Sequence, residues 1–331
     1  GKKVPFIDRI EYTFVAEENP MWNLFFTGQS DTSGVPRSMF SQIIGPGQGL
    51  LDEWAKKGIS LIKYNGPAVY WLAFNMEDPV ISKSKSLRQA LQLAYNVEAE
   101  IDVLQNGRGM RAMNTVPRDI EGYDKFPASP YAKLDIDAAK KKIEQAKAEL
   151  VAAGVIKPGE DIPTLTLDMG GRDEETRKMA MFTQKQFRKI GVTLKVEMND
   201  WPTLQEKVEN KQTQIYTMGW HADYPDAENF LQLYYTPNIK RGTNNTNYSN
   251  PEFDKRFEKA VKMLPSPERT KLYAEMIGIL NEDCPVVLMT EPISFVLIHD
   301  WVSNIKPHPF GYGFLKYQRI DVQKRKDARS K

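Results

Sequence analysis

The chain has 331 residues, 41% of them hydrophobic and 27% charged, with 45 Lys and Arg against 43 Asp and Glu. A net charge of +2 spread over so many charged side chains gives no electrostatic case for nucleic acid, and no apolar run approaches the roughly 20 residues of a membrane span. The single cysteine, Cys284, excludes an internal disulfide; between an acidic helix end and Pro285, with no histidine nearby, it reads as a buried structural thiol and not a nucleophile.

The opening GKKVPFIDRIEYTFV lacks the apolar core and small-residue cleavage site of a signal peptide, so the chain is either cytoplasmic or a mature or truncated piece. Ile7 to Val15 alternates like a strand. MWNLFFTGQSD reads as an amphipathic helix with Leu24, Phe25 and Phe26 toward a core and Gly28 at its stop. The GPGQG run from Gly45 to Gly49 lacks the Lys-Ser/Thr and the preceding strand of a phosphate loop. ISLIKYNGPAVYWLAFNM supplies two short strands around Gly66-Pro67, and SLRQALQLAYNVEAEIDVLQNG carries a helical period up to Gly107. Arg108 to Tyr131 reads as a long surface excursion, and DIDAAKKKIEQAKAELVAAG as a helix with an aspartate cap and a glycine stop.

Beyond it the strands TLTLDMG, VTLKVEMND and QIYTMGW alternate with the helices EETRKMAMFTQKQFRKIG and PTLQEKVEN, the signature of βαβ units and an α/β layer fold. An asparagine-rich loop (TNNTNYSN), two helices and the strand-like PVVLMTEPISFVLI follow, and the basic end KRKDARSK reads as frayed and solvated. Where QIYTMGW ends, the octapeptide GWHADYPD crowds a tryptophan, a histidine, two aspartates and a tyrosine into Gly219 to Asp226. Ligand crevices open at the strand ends of such sheets. His221 and Asp223 share a face in an extended segment without a third or fourth metal ligand in view. As a general acid or base Asp223 needs a second titratable partner, and no GxSxG, HExxH, CxxC, Walker A or kinase set is present. The plain alternative is a strand end with Trp220 in the core and Asp223 capping backbone amides ahead of Pro225.

Four stretches stand in the order of one family: FIDRIEYTFVAEEN with the helix ending TGQSD; YWLAFNM with SLRQALQLAYNVEAEIDVLQNGRG; DIDAAKKKIEQAKAEL before AAG; and GWHADYPDAENFL with NYSNPEFDKRFEKA, ERTKLYAEMIGILNEDCPVV and DWVSN. Over essentially its whole length the chain resembles the family 5 solute-binding proteins of ABC importers, the peptide, dipeptide and nickel-binding group. The resemblance implies an α/β fold of the periplasmic binding protein class II type, a mixed sheet with flanking helices, in two lobes that close over a solute without catalysis, cofactor or bound metal. It also implies an extracytoplasmic, periplasmic location, a monomer, and an ABC permease in the membrane as partner. By this likeness residues 1–218 are the second lobe, 219–226 an inter-lobe crossing and 227–331 the closing part of the first lobe, the rest of that lobe and a signal peptide lying upstream of Gly1.

The same resemblance implies a ligand site. Asp223 pairs with the α-ammonium of a peptide, Trp220 is a flat apolar wall beside Tyr224, and the backbone around Gly219 and His221 bonds the peptide as an added strand. Thr217 stands where some peptide binders carry arginine, and His221 occupies a position that varies in the family. The rival reading is a hydrolase that uses the carboxylates of Asp223 and Asp226.

Overall fold

In the computed structural model, which describes residues 3–15, 17–239, 242–308, 310 and 313–330, the two strands around Gly66-Pro67 do not pair with each other. They belong to different compact units, one made of residues 1–66 with 293–331 and the other of residues 67–292. In chain order the strands are β1 (Thr32–Gly34), β2 (Ile59–Asn65), β3 (Ala68–Phe74), β4 (Gly109–Arg111), β5 (Leu165–Met169), β6 (Leu194–Met198), β7 (Ile215–His221), β8 (Val286–Leu288), β9 (Thr290–His299), β10 (Val302–Ser303) and β11 (Arg319–Ile320).

The unit of residues 67–292 is built on a five-stranded mixed sheet in the order β6-β5-β7-β3-β8. β5 runs parallel to β6 and β7, because the helices Glu174–Arg188 and Trp201–Glu209 supply the crossovers that parallel strands require. Aspartates start both: Asp173 accepts from the Thr176 amide and Asp200 from the Thr203 amide. β3 is antiparallel to β7 and β8. The core of Leu72, Phe74, Leu165, Leu167, Ile215 and Val287 is closed by the helix Lys85–Ala94, every residue of which from Ser86 onward is buried, and by Ile136–Ala152, capped by Asp135 as its sequence indicates.

The compact units divide at 66/67 and 292/293; β7 is the middle strand of the sheet, and residues 219–226 lie with the chain on both sides of them in the unit of residues 67–292. One expectation changes here. The segment after Arg108 is not a surface excursion, since Ala112, Val116, Ile120 and Phe126 are buried and Arg118 donates to the buried Glu291 carboxylate at 2.9 Å. The asparagine-rich loop is likewise packed: Asn244, Thr246, Asn247 and Tyr248 are buried, and the Asn247 amide donates to Asn75 at 3.0 Å. Polar side chains that satisfy one another can enter an interior that their composition alone would bar. Cys284 is buried as expected, and burial pushes its thiol up to about 12.

In the unit of residues 1–66 and 293–331, residues 293–299 of β9 pair antiparallel with β2 on one side and β1 on the other. Trp22, Phe25, Ile43, Trp54, Phe295 and Leu297 form its core. Of the helix residues expected inward Phe25 is fully buried, whereas Phe26 is 52% exposed. Ile7–Val15 forms no strand: alternation makes a strand only where a neighbour takes up the backbone bonds, and Phe14 is 97% exposed. GPGQG is a turn closed on itself, with the Gly45 amide donating to the Gly49 carbonyl at 2.9 Å. The basic end is ordered rather than frayed: Val322–Arg329 is a helix capped by Asp321, and Arg329 donates to the Gly28 carbonyl at 2.6 Å.

His299 lies stacked between Phe25 and Trp301, ring centroids 4.1 and 3.9 Å away, with Nε2 2.9 Å from the Phe25 carbonyl. Burial holds its pKa below the ordinary value of 6.5. The unfolded chain therefore binds the proton more readily, so the stability from this neutral imidazole is complete above about pH 6.5 and is lost as pH falls through the lower folded value. Melting temperatures of wild type and His299→Gln between pH 8 and 5 are expected to show a steeper acid-side decline in wild type.

Candidate functional site

The site is built on the far half of β7. One edge of that strand pairs with β3 over seven residues, Ala68↔His221 to Phe74↔Ile215. The other edge meets β5 only at Leu167↔Ile215 and Asp168↔Tyr216, because β5 stops at Met169 before the Gly170-Gly171 turn. Main-chain groups of successive strand residues point to opposite edges. The Ala222 amide donates to the Pro67 carbonyl at 2.8 Å and the Asn75 amide to the Gln214 carbonyl at 3.0 Å, so the even-numbered residues of β7 face β3. Thr217, Gly219 and His221 thus turn their N–H and C=O groups to the other edge. At Thr217 the Gly170 amide closes that edge by donating to Oγ1 at 3.2 Å. At Gly219 and His221, β5 has already ended.

Side chains alternate across the sheet in the same way. On one face Tyr216, Met218 and Trp220 join Trp71, the cross-strand partner of Met218, in lining a cavity of about 210 Å³. Trp201, Gln205 and Val208 on the helix Trp201–Glu209 form another wall, and Leu233, Tyr234, Thr243, Asn245 and Thr246 also line the cavity. The Tyr216 hydroxyl holds the loop by donating to the Asn245 carbonyl at 2.7 Å. On the opposite face the Tyr70 ring lies across Gly219, where an added Cβ would come within 2.4 Å of ring carbon Cδ1. Only glycine leaves that room. Tyr70 Oη is 2.9 Å from His221 Nε2 with the rings edge to face, and desolvation on that side keeps the pKa of the otherwise exposed His221 below the ordinary value, favouring the neutral imidazole.

Past the strand end Asp223 is exposed. Its amide donates to Asn229 Oδ1 at 3.0 Å and its carboxylate Oδ2 accepts from Asn229 Nδ2 at 3.2 Å. Asn229 Oδ1 also accepts from the Trp220 indole at 2.9 Å. The Tyr224 hydroxyl donates to the Glu228 carboxylate, and burial with that neighbour pushes it up to about 12. Asp226 behaves differently. It accepts from Arg269 Nη1 at 2.6 Å, the Tyr273 hydroxyl at 3.0 Å and the Glu228 amide at 2.9 Å, so it ties the turn to the helix Pro267–Asp283 and is the aspartate that caps backbone here. Among the described residues no group of three or more His, Cys, Asp and Glu is placed to hold a metal ion, and no helix is long and apolar enough to cross a membrane.

The structure thus brings Trp220, Gly219, His221 and Asp223 to one strand and its end, with the Trp220 side chain and the Gly219–His221 side on opposite faces. Tyr224 turns toward Glu228. Tyr70, Trp71, Trp201 and Asn229 join them without a sequence signal of their own: the first two arrive through β3 register, Trp201 through the crossover helix, and Asn229 from inside DAENFL.

Residues 1–242 match the family described as bacterial extracellular solute-binding proteins, family 5 Middle. Over 299 residues the chain is 26% identical to the oligopeptide-binding protein OppA of Bacillus subtilis (strain 168), which covers 90% of this chain and 51% of that protein. It is 25% identical over 257 residues to the dipeptide-binding protein of Escherichia coli (strain K12), covering 77% of this chain and 45% of that protein. Among solved structures it is similar to the periplasmic binding protein DppA from Helicobacter pylori in complex with peptide STSA, with TM-score 0.76 and 23% identity over 93% of this chain and 56% of that one. It is also similar to AppA from Bacillus subtilis in complex with a nonapeptide, with TM-score 0.75 and 19% identity over 92% of this chain and 59% of that one. The chain spans about half the length of the curated relatives it matches.

Proposed function

The chain belongs to the bacterial extracellular solute-binding proteins of family 5, and on that premise we propose that it binds an oligopeptide or similar solute for an ABC importer. The observation that carries this reading is the edge of β7 at Gly219 and His221, turned away from β3 and beyond the end of β5. An extended peptide laid along that edge pairs its main chain with these two residues, which gives affinity without demanding one side-chain sequence. Its alternate side chains reach the Trp71, Trp201 and Trp220 cavity, large enough for an apolar side chain. Its α-ammonium meets Asp223, the exposed carboxylate at the end of the strand.

Nothing in this mode breaks a bond, and Asp226, committed to Arg269 and Tyr273, gives no support to a pair of hydrolytic carboxylates. In the whole protein residues 67–292 serve as one lobe of a clamp that closes over ligand, a population shift driven by contacts made only in the closed state. The protein works outside the cytoplasm as a monomer and hands its solute to an ABC permease in the membrane. Calorimetric titration of the whole protein with trileucine and with N-acetyl-trileucine tests the reading: the free amine is expected to bind more than about tenfold tighter. Equal affinities would overturn the role of Asp223. Absence of binding across a pool of di- to pentapeptides would overturn the peptide reading itself.

A further inference from the structure

Asn229 is fully buried, in the short turn Glu228–Leu231, and makes three directed hydrogen bonds with its side chain. A carboxamide offers an oxygen with two lone pairs and a nitrogen with two hydrogens. Here Oδ1 accepts from the Trp220 indole at 2.9 Å and from the Asp223 amide at 3.0 Å, while Nδ2 donates to Asp223 Oδ2 at 3.2 Å. A single side chain therefore holds a wall of the aromatic cavity, the backbone at the strand end and one oxygen of the exposed carboxylate.

We propose that Asn229 is the positioning residue of the ligand site, the group that sets the distance and angle between the Trp220 indole and the Asp223 carboxylate. This rests on the reading of Asp223 as ligand anchor. A peptide's α-ammonium and the side chain beside it are a fixed distance apart, so a carboxylate and an aromatic wall serve them together only if their own separation is fixed. Asn229 is itself held firmly. Its amide donates to the Asp226 carbonyl at 3.1 Å, and the Asp226 carboxylate is anchored by Arg269 and Tyr273 on the helix Pro267–Asp283.

Neither near-isosteric replacement does the same work. Leucine has the volume but neither acceptor nor donor, and would leave the half-buried indole N–H and the Asp223 amide without their partner. Aspartate keeps the acceptor for Trp220 but loses the donor to Asp223 and sets a second negative charge against it.

Two readouts on the same chain separate this proposal from the anchor reading. In Asn229→Leu, hydrogen exchange of the Trp220 indole N–H is expected to accelerate by at least about tenfold, and in Asn229→Asp to stay within about threefold of wild type, with or without ligand. The preference for trileucine over N-acetyl-trileucine is expected to fall from more than about tenfold to below about threefold in Asn229→Leu. Unchanged indole exchange in Asn229→Leu overturns the proposal whatever the peptides do. Faster exchange with the amine preference intact also overturns it, because Asn229 would then hold Trp220 without positioning Asp223. If wild type shows no amine preference, the anchor reading fails and the positioning role fails with it, while the exchange rates still report whether Asn229 binds the indole.

Discussion

Replacement of Asp223 by asparagine is expected to weaken binding of trileucine by more than about tenfold, to leave N-acetyl-trileucine unaffected and to leave the melting temperature where it is. The reasoning is local. Asparagine is nearly isosteric and still presents an oxygen to Asn229 Nδ2, which lies 3.2 Å from Asp223 Oδ2, so the turn keeps its internal bond. The change removes the charge, and a ligand with an ammonium group registers that loss where an acetylated one does not. Parallel titrations of both peptides against both proteins check this. An equal loss for the two peptides would mean damage to the site as a whole, and no loss for either would remove Asp223 from ligand binding.

Three residues further on, Asp226→Ala is expected to do the reverse and destabilise the fold by about 2–4 kcal/mol, read from urea denaturation. The side chains of Arg269 and Asp226 are only 12% and 26% exposed, so removal of the carboxylate leaves a largely buried guanidinium short of its counter-charge. It also strands the Tyr273 hydroxyl and the Glu228 amide. Arg269 keeps its bond to the Ala260 carbonyl at 3.2 Å and its place over the Tyr273 ring, which limits the loss. Unchanged stability with abolished peptide binding would instead make Asp226 a ligand group. The contrast between the two aspartates is what separates a binding turn from a carboxylate pair of a hydrolase.

Much of the fold was legible because its signals are local. The cap at Asp135 and the alternation of strand and helix from Leu165 to His221 depend on residues within a few positions of one another. Ile7–Val15 misled for the opposite reason: its alternation is local, but a strand needs a partner that no local pattern supplies. Gly66-Pro67 resembles the turn between two paired strands, yet β2 pairs with β9 while β3 pairs with β7 and β8, so the unit boundary hid inside an apparent hairpin. The octapeptide GWHADYPD drew notice through its composition and its family likeness. Its supports did not, because Tyr70 over Gly219 is a matter of register and Asn229 beneath Trp220 and Asp223 a matter of packing.

The central claim is that a peptide adds to the outer edge of β7, and backbone amide exchange along that strand tests it most directly. With trileucine bound, exchange at Gly219 and His221 is expected to slow by about tenfold or more, whereas Met218 and Trp220, whose amides face β3, stay as they were. Bound peptide with unchanged exchange at Gly219 and His221 would contradict the account.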